Sequence, residues 1–194
     1  MQRLQSVNPA LAQGRTKELL DTVHQVFGAI PNTAQVMANS PAVLESFLAF
    51  STAMSGAKIG EKLHNQVKLT TSESNSCDYC TSILSAVAPS AGLSVEDILA
   101  GRTGSSDDRR TKAALAFAHD VLEHRGKVTD QQLAVVRSAG FGDGEIVEIV
   151  ASVVLGCFTN FLNNVADTEL DIPRAEPLEA CSTATCESGA CSIH

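Results

Sequence analysis

The sequence has no cluster of basic residues, no long apolar run and no apolar leader. Lys and Arg number 14 against 22 Asp and Glu, which gives a net charge of −8 and argues against nucleic-acid and anionic membrane partners. The most apolar stretch, Ile149 to Phe158, is far shorter than the roughly 20 residues that span a bilayer. The polar N-terminus shows no signal peptide. We therefore expect neither a nucleic-acid nor a membrane partner.

Alternation of apolar and polar residues with period two is also missing, which argues against a β-sheet. Apolar residues recur at helical spacing instead, and the clearest stripe lies between Ile146 and Leu162. Ser94 to Asp97 and Thr129 to Gln132 have the pattern of helix N-terminal caps. With 194 residues, of which 44% are hydrophobic, the chain can bury one full core. The sequence predicts an all-α bundle.

A single CxxC motif, Cys77-Asp78-Tyr79-Cys80, is the strongest functional signal. It stands where a helix is predicted to begin, and residues i and i+3 share one helical face, so the two sulfur atoms can form a disulfide. The positive end of the helix dipole lowers the pKa of a nearby thiol. The arrangement favours redox chemistry. The alternatives are two incidental thiols or half of a zinc site, although zinc would require a second ligand pair at motif spacing, which is absent.

The next cysteine of the chain and three asparagines that follow it receive structural interpretations. Cys157 falls in the apolar stripe of the last helix and is expected to be an inert core thiol. Asn160, Asn163 and Asn164 are expected to form caps and inter-helix hydrogen bonds. Six cysteines in a chain without a visible leader indicate a reducing compartment, in which a CxxC cycles as a dithiol. We therefore expect a cytoplasmic protein.

The composition changes after Pro173. Residues 174–194 are small and polar, so we predict one domain over residues 1–173 and a flexible tail over residues 174–194. Three cysteines and a terminal histidine lie in this tail, at Cys181, Cys186, Cys191 and His194. They could bind Zn(II), Cu(I) or a thiophilic metalloid, reduce a Cys77–Cys80 disulfide, or stay reduced and inert.

The segment Asn75 to Cys80 resembles the active-site segment of the AhpD-like superfamily (alkylhydroperoxidase D and carboxymuconolactone decarboxylase), in its peroxidase-related branch. The resemblance continues through Gly92-Leu93-Ser94, Ala113 to Ala118, Thr159-Asn160-Phe161 and Asp167 to Pro173. It covers most of the chain up to Pro173. It implies an all-helical fold with a CxxC at a helix N-terminus, assembly as trimers or hexamers, and a dithiol that reduces hydroperoxides or passes electrons to a partner.

The resemblance also implies a role for each cysteine. In that family the second cysteine attacks the peroxide and the first one resolves the product. Carried over, Cys80 would become a sulfenic acid and Cys77 would condense with it to a disulfide. An external dithiol would then reduce the disulfide by exchange at Cys77. We expect no cofactor.

Two positions depart from the family pattern. The family commonly has a histidine four residues after the second cysteine and a glutamate twelve residues before the first, where this chain has Leu84 and Asn65. Neither side chain titrates near neutral pH, so the usual proton relay is missing. Glu73, four residues before the CxxC, and Glu61 and His64, each within a turn of the second position, are the candidate substitutes. The alternative for each is a solvent-exposed helix residue.

Two classes of function stay open. One is an antioxidant oxidoreductase that reduces a small hydroperoxide or disulfide, is reset by an external dithiol and forms a homo-oligomer. The other is a non-enzymatic protein that binds a metal or metalloid through the tail thiols. A cofactor-free decarboxylase of the superfamily's other branch is a third interpretation, against which the intact CxxC argues. We expect the oxidoreductase.

Overall fold

The computed structural model describes residues 2–178. This part of the chain contains nine α-helices, one short 3-10 turn and no β-strand, so the predicted all-α fold is confirmed. The helices are α1 (Gly14–Phe27), α2 (Asn32–Met37), α3 (Pro41–Met54), α4 (Gly60–Ser74), α5 (Asp78–Val87), α6 (Val95–Thr103), α7 (Arg109–Glu123), α8 (Asp130–Ser138) and α9 (Asp143–Ala166).

Local sequence signals set several of these bounds. Both predicted capping boxes are present, with Ser94 opening α6 and Thr129 opening α8. The helix that carries the CxxC ends at Val87, and Pro89 lies in the 3-10 turn that follows. A proline there fits because the first turn of a helix needs no N–H from it.

Helix α4 lies at the centre of the molecule and packs against α5, α6, α7 and α9. Its Val67, Leu69 and Thr71 side chains are completely buried. A second hydrophobic cluster joins α1, α2 and α3, through Leu20, Val23, Met37 and Leu44 among others. Because α4 ends at the CxxC segment, the best-packed helix of the fold positions the two thiols.

Helix α9 is apolar on two faces rather than one. Ile149 and Val153 are buried against the core, whereas Val154, Phe158 and Phe161 of the same predicted stripe are exposed. The helix has 24 residues and, by length and composition alone, could cross a membrane. It packs against α3, α4, α5 and α7, as core helices that pass the same test do. Its second apolar face is therefore a surface of the described chain.

Residues 167–178 follow α9 and run back across α5; we call them the C-terminal strap. Tyr79 on α5 donates its hydroxyl hydrogen to Asp171 Oδ1 at 2.9 Å, and Asp171 Oδ2 accepts from the Asn32 backbone at 2.8 Å. The strap is thus tied to two helices. The domain boundary after Pro173 stays a prediction, and the tail residues Cys181, Cys186, Cys191 and His194 lie outside the described residues.

Candidate active site

A tight turn between α4 and α5 places the first cysteine. Ser76 has a φ of 50°, in the left-handed region, which is strained for a residue other than glycine. The Cys77 N–H then donates to the Ser72 carbonyl at 2.9 Å. Cys77 therefore becomes the N-cap of α5, and its sulfur accepts a hydrogen bond from the Cys80 N–H at 3.3 Å.

The two sulfur atoms face each other in a buried site. Cys77 and Cys80 are free thiols whose residues are 1% and 3% exposed. They hydrogen-bond to each other. The amide Nδ2 of Asn163, on α9, donates to the Cys80 sulfur at 3.2 Å, and Asn160 and Thr159 also hydrogen-bond to it. Helix α9 thus directs three donors at the second thiol.

These hydrogen bonds shift the pKa values of the two thiols in opposite directions. The bond from Cys77 lowers the pKa of Cys80 to about 7, and the donors Asn160, Asn163 and Thr159 add to this effect, while burial opposes it. The same bond to Cys80 raises the pKa of Cys77, and burial raises it further. Near neutral pH, Cys80 is therefore partly ionised to the thiolate, while Cys77 remains a thiol. This is the direction that the expected role of Cys80 requires.

Asparagine side chains connect this site to the surrounding helices. Asn160 donates to the Ser72 hydroxyl at 3.1 Å and accepts from Asn75 at 3.0 Å, and Asn164 donates to the Asn75 carbonyl at 2.9 Å. The predicted inter-helix role is therefore confirmed for Asn160 and Asn164. Asn163 instead donates to the Cys80 sulfur, which the sequence interpretation missed. The sequence did contain a signal for this role: Asn160 and Asn163 are polar residues at spacing i, i+3 within an apolar stripe.

Glu73 lies on the Cys77 side of the site. Its carboxylate accepts from the Arg102 guanidinium at 2.5 Å. Both residues line a cavity of about 310 Å³, whose wall also contains Cys77. Of the three candidate relay residues, Glu73 is thus the one that the structure brings to the wall of a cavity beside a thiol. Its catalytic role stays a prediction.

His64 and Glu61 lie further along α4. His64 is buried, and its Nδ1 lies 2.7 Å from the Ser152 hydroxyl on α9. Burial lowers the pKa of His64 to about 4, with a contribution from the positive charge of Lys68, so the imidazole is neutral at pH 7. Glu61 is exposed. Within residues 2–178 neither side chain is among the groups that hydrogen-bond to a CxxC sulfur.

Lys68 interacts electrostatically with His64, Glu61 and Cys80. The sequence interpretation missed this residue. It is half-buried and follows His64 by four residues on α4, so the two share a helix face. Burial lowers the pKa of Lys68, whereas the negative charges of Cys80 and Glu61 oppose that decrease. The attraction between a lysine ammonium and the Cys80 thiolate is mutual, so each group favours the charged form of the other.

Other candidates have no place in this site. Cys157 is half-buried, accepts a hydrogen bond from Asn75 at 3.6 Å, and has a pKa raised by burial, which makes it a poor nucleophile at neutral pH. Leu84 and Asn65, at the two positions that depart from the family pattern, are half-buried. Within residues 2–178 no group of three or more His, Cys, Asp or Glu side chains could hold a metal ion.

The fold and the site define an all-helical protein with two buried thiols at a helix N-terminus, one with a lowered pKa and one with a raised pKa. No protein-family model and no curated protein matches the chain. Solved structures do. An uncharacterized peroxidase-related AhpD core from Ralstonia eutropha JMP134 shares 19% identity, with a TM-score of 0.76 over 88% of this chain and 92% of that one.

Two further solved structures show the same likeness. A peroxidase-related protein from Silicibacter sp. TM1040 is 18% identical, with a TM-score of 0.71 over 87% of this chain and 94% of that one. The debrominase Bmp8 is 20% identical, with a TM-score of 0.73 over 86% and 90% of the two chains. At this level of identity the comparisons define the fold. The chain has the AhpD-like fold, and the resemblance stated from the sequence is confirmed at that level.

Proposed function

We propose that this protein is an antioxidant dithiol oxidoreductase that reduces small hydroperoxides through Cys80 and Cys77. The observation that carries the proposal is the Cys80 sulfur, which accepts hydrogen bonds from Cys77 and Asn163 and has a pKa lowered to about 7. A thiolate available at neutral pH, with a second thiol in contact, is what peroxide reduction requires. The peroxidase-related descriptions of two proteins with this fold support the same choice.

In the first step, the Cys80 thiolate attacks the terminal oxygen of the hydroperoxide. The O–O bond breaks, the sulfur is oxidised to a sulfenic acid, and the alkoxide or hydroxide takes a proton and leaves as an alcohol or water. Asn163 donates to the sulfur at 3.2 Å and holds the thiolate in place. Because Cys80 is only 3% exposed, we expect hydrogen peroxide to react faster than bulky hydroperoxides.

In the second step, Cys77 attacks the sulfenic acid. The new S–S bond releases one water molecule, and the two thiols have then supplied the two electrons that the peroxide gained. A dithiol reductant restores both thiols by two exchange reactions. The cycle needs no cofactor, and a dithiol reductant fits the proposed cytoplasmic location.

Lys68 is our candidate for the missing proton relay. Its ammonium group interacts with the Cys80 charge and with Glu61, and burial makes it easier to deprotonate than an exposed lysine. It can therefore stabilise the thiolate and supply a proton to the leaving oxygen. Glu61 and His64 would act through Lys68, while Glu73 lies on the cavity side at Cys77. The fold itself leaves the substrate open, since a debrominase shares it.

The direct test is consumption of hydrogen peroxide and of tert-butyl hydroperoxide by the wild-type chain with dithiothreitol as reductant. We expect turnover that Cys80→Ser reduces at least a hundredfold, because the reacting thiolate is gone. Cys157→Ser is the matched control, since that thiol lies outside the pair, and it should keep wild-type rates. Absence of turnover by the wild-type chain would overturn the hydroperoxide assignment and leave disulfide reduction or metal binding.

We also propose that the chain forms a homo-oligomer through the second apolar face of α9. The exposed residues Val147, Val154, Phe158, Phe161 and Val165, together with half-buried Ala151, recur at alternating steps of four and three. This is the a/d spacing by which helices pack against partner helices. A second copy of the same helix has the same spacing and can fill the face.

Val154→Glu should convert the oligomer to monomers, because it places a charge in the middle of the paired apolar faces. Val135→Glu is the matched control: it is the same change at a valine that is 54% exposed on α8, against 52% for Val154. Size-exclusion chromatography with light scattering should give a wild-type mass of three or six times the 20.4 kDa chain mass. A monomeric wild-type protein would contradict the proposal.

A further inference from the structure

The side chain of Asn163 has one hydrogen-bonding atom that no described residue uses. Its Nδ2 donates to the Cys80 sulfur at 3.2 Å, whereas its Oδ1 is buried and has no partner among residues 2–178. The residue is only 3% exposed. An amide oxygen can accept two hydrogen bonds, and a buried acceptor that accepts none lowers stability. The unused oxygen therefore indicates a binding position for a molecule that carries a hydrogen-bond donor.

The bond to sulfur also fixes the direction of this oxygen. Oδ1 and Nδ2 of Asn163 are attached to the same carbon, and the opposite orientation of the amide would turn the oxygen toward a sulfur that is negative when ionised. The backbone is held as well, because the Asn163 carbonyl accepts from the N–H groups of Asp167 and Thr168 at the end of α9. A donor molecule bound to Oδ1 therefore lies next to the Cys80 sulfur.

Burial limits the size of that molecule. Cys80 and Asn163 are each 3% exposed, and the cavity of about 310 Å³ has Cys77 in its wall but neither of these two residues. Buried polar groups of proteins are commonly partnered by water, and hydrogen peroxide is the hydroperoxide closest to water in size. Each of its oxygens carries a hydrogen that an amide oxygen can accept.

We propose that Asn163 binds the substrate as well as the thiolate: its Oδ1 accepts the O–H hydrogen of a hydroperoxide while its Nδ2 holds the Cys80 sulfur. The inference rests on the proposed function and selects among its substrates, since a disulfide has no such hydrogen to donate. One amide then places the terminal oxygen of the hydroperoxide against the sulfur, at the distance of about 3–3.5 Å from which attack proceeds.

Atoms and electrons balance in the step that this arrangement directs. The Cys80 thiolate attacks the oxygen whose hydrogen is bonded to Oδ1, the S–O bond forms and the O–O bond breaks. That oxygen keeps its hydrogen, and the sulfur, having lost two electrons, becomes a sulfenic acid. The other oxygen leaves with the electron pair of the O–O bond and takes a proton, for which Lys68 is the proposed source. In an organic hydroperoxide the bond to Oδ1 thus selects the terminal oxygen.

A reagent without a donor hydrogen gains nothing from Oδ1. Sites that hydrogen-bond a substrate O–H discriminate against analogues that lack it, because the buried polar group is then left unpaired. Asn163 should therefore favour the reaction of Cys80 with a hydroperoxide over its reaction with a small sulfur electrophile. A residue that only held the thiolate in place would affect both reactions alike.

The test compares two small reagents on the same thiolate. In a Cys77→Ser parent, Cys80 is the only thiol of the tryptic peptide 69–102. Hydrogen peroxide converts it to a sulfenic acid, which dimedone traps, and methyl methanethiosulfonate, which has neither O–H nor N–H, converts it to a mixed disulfide. Mass spectrometry of the peptide follows both adducts between pH 5 and 10. Each profile gives a rate constant for the ionised thiolate, which does not depend on how much of Cys80 is ionised.

Asn163→Leu should lower the ratio of the peroxide rate constant to the methanethiosulfonate rate constant by about tenfold or more. The ratio is the informative quantity, because a change in the nucleophilicity of the thiolate alters both constants. Thr159→Val is the matched control: Thr159 also hydrogen-bonds to the Cys80 sulfur, and its loss leaves Oδ1 in place, so the ratio should equal that of the parent. If circular dichroism shows that Asn163→Leu does not fold, Asn163→Ala gives the same comparison without adding volume.

The outcomes separate this inference from the function on which it rests. An unchanged ratio in the Asn163 variant, in a parent that reacts with hydrogen peroxide, would overturn the inference and leave the proposed function standing. A ratio that fell equally in Thr159→Val would also overturn it. A parent whose Cys80 reacts with methyl methanethiosulfonate but not with hydrogen peroxide would overturn the hydroperoxide function and the inference together.

Discussion

Replacement of Asn163 by leucine should raise the pKa of Cys80 by one to two units and reduce its reactivity at pH 7 about tenfold. The wild-type amide donates to the sulfur at 3.2 Å, and a hydrogen bond to a charged group contributes about 1.5–3 kcal/mol. Each pKa unit corresponds to 1.36 kcal/mol. Losing this donor therefore removes much of the stabilisation of the thiolate.

The reactivity of Cys80 should fall as the pH is lowered. The wild-type thiolate is present above pH 7 and is lost as the pH falls through the pKa of about 7. In Asn163→Leu this loss should begin one to two pH units higher. The rate of alkylation of Cys80 by iodoacetamide, followed between pH 5 and 10 on the tryptic peptide 69–102, measures both midpoints.

The adjacent residue supplies the matched control. Asn164 is exposed and donates to the Asn75 carbonyl, so Asn164→Leu should leave the midpoint near that of the wild type. We expect Asn163→Leu to fold normally, because Asn163 Oδ1 has no hydrogen-bond partner among the described residues and the change gives up only the bond to sulfur. An unchanged midpoint in Asn163→Leu would show that the Asn163 amide does not contribute to the lowered pKa of Cys80.

Replacement of Gly156 by valine should cause the largest loss of stability, of about 3 kcal/mol. A Cβ at Gly156 would lie 2.8 Å from Thr71 Cγ2 and 3.0 Å from Thr71 Cβ, and Thr71 is completely buried on α4. Helices α4 and α9 must separate to admit the new side chain. For a chain of this size we expect the melting temperature to fall by roughly 6–12 °C, as measured by circular dichroism.

Gly144 lies on the same helix and gives the control. A Cβ there meets no atom within 4 Å, so Gly144→Val should leave the melting temperature nearly unchanged. Thr71→Ala removes the closest methyl group, and the double variant with Gly156→Val should lose less stability than the two single losses added together. If Gly156→Val were as stable as Gly144→Val, the close approach of α4 and α9 would be refuted.

Gly156→Val also tests whether the packing of α4 against α9 controls the hydrogen bonds at the CxxC site. Helix α4 carries Ser72, and α9 carries Asn160 and Asn163, which contact Ser72 and Cys80. Separation of the two helices would lengthen both hydrogen bonds. Gly156→Val should therefore also raise the midpoint of Cys80 alkylation, whereas Gly144→Val should not.

The candidate relay residues show what helical spacing can and cannot predict. Spacing predicted that Glu73 would lie near Cys77, and the structure places both on one cavity wall. The same reasoning considered His64 and Glu61 but passed over Lys68, because a lysine on a predicted helix is ordinarily exposed. Only the tertiary packing around α4 half-buries Lys68 and brings its charge near Cys80.

The apolar stripe of α9 shows a related limit. Periodicity predicted a long helix correctly, but it gave no means of separating the residues that face the core from those that face outward. Ile149 and Val153 point inward while Val154 and Phe158 are exposed, because α3, α4, α5 and α7 cover only part of the helix circumference. A second apolar face is therefore visible only once the neighbouring helices are in place.

The sequence by itself determined the all-helical class, the capping boxes at Ser94 and Thr129, and a dithiol at the start of a helix. Each of these depends on residues within a few positions of one another, where backbone geometry and side-chain spacing decide the outcome. The tertiary structure decided which donors reach Cys80, which thiol lines the cavity and which residues of α5 the strap contacts. Those relations join residues about 80 to 100 positions apart, and only the packing of whole helices brings such residues into contact.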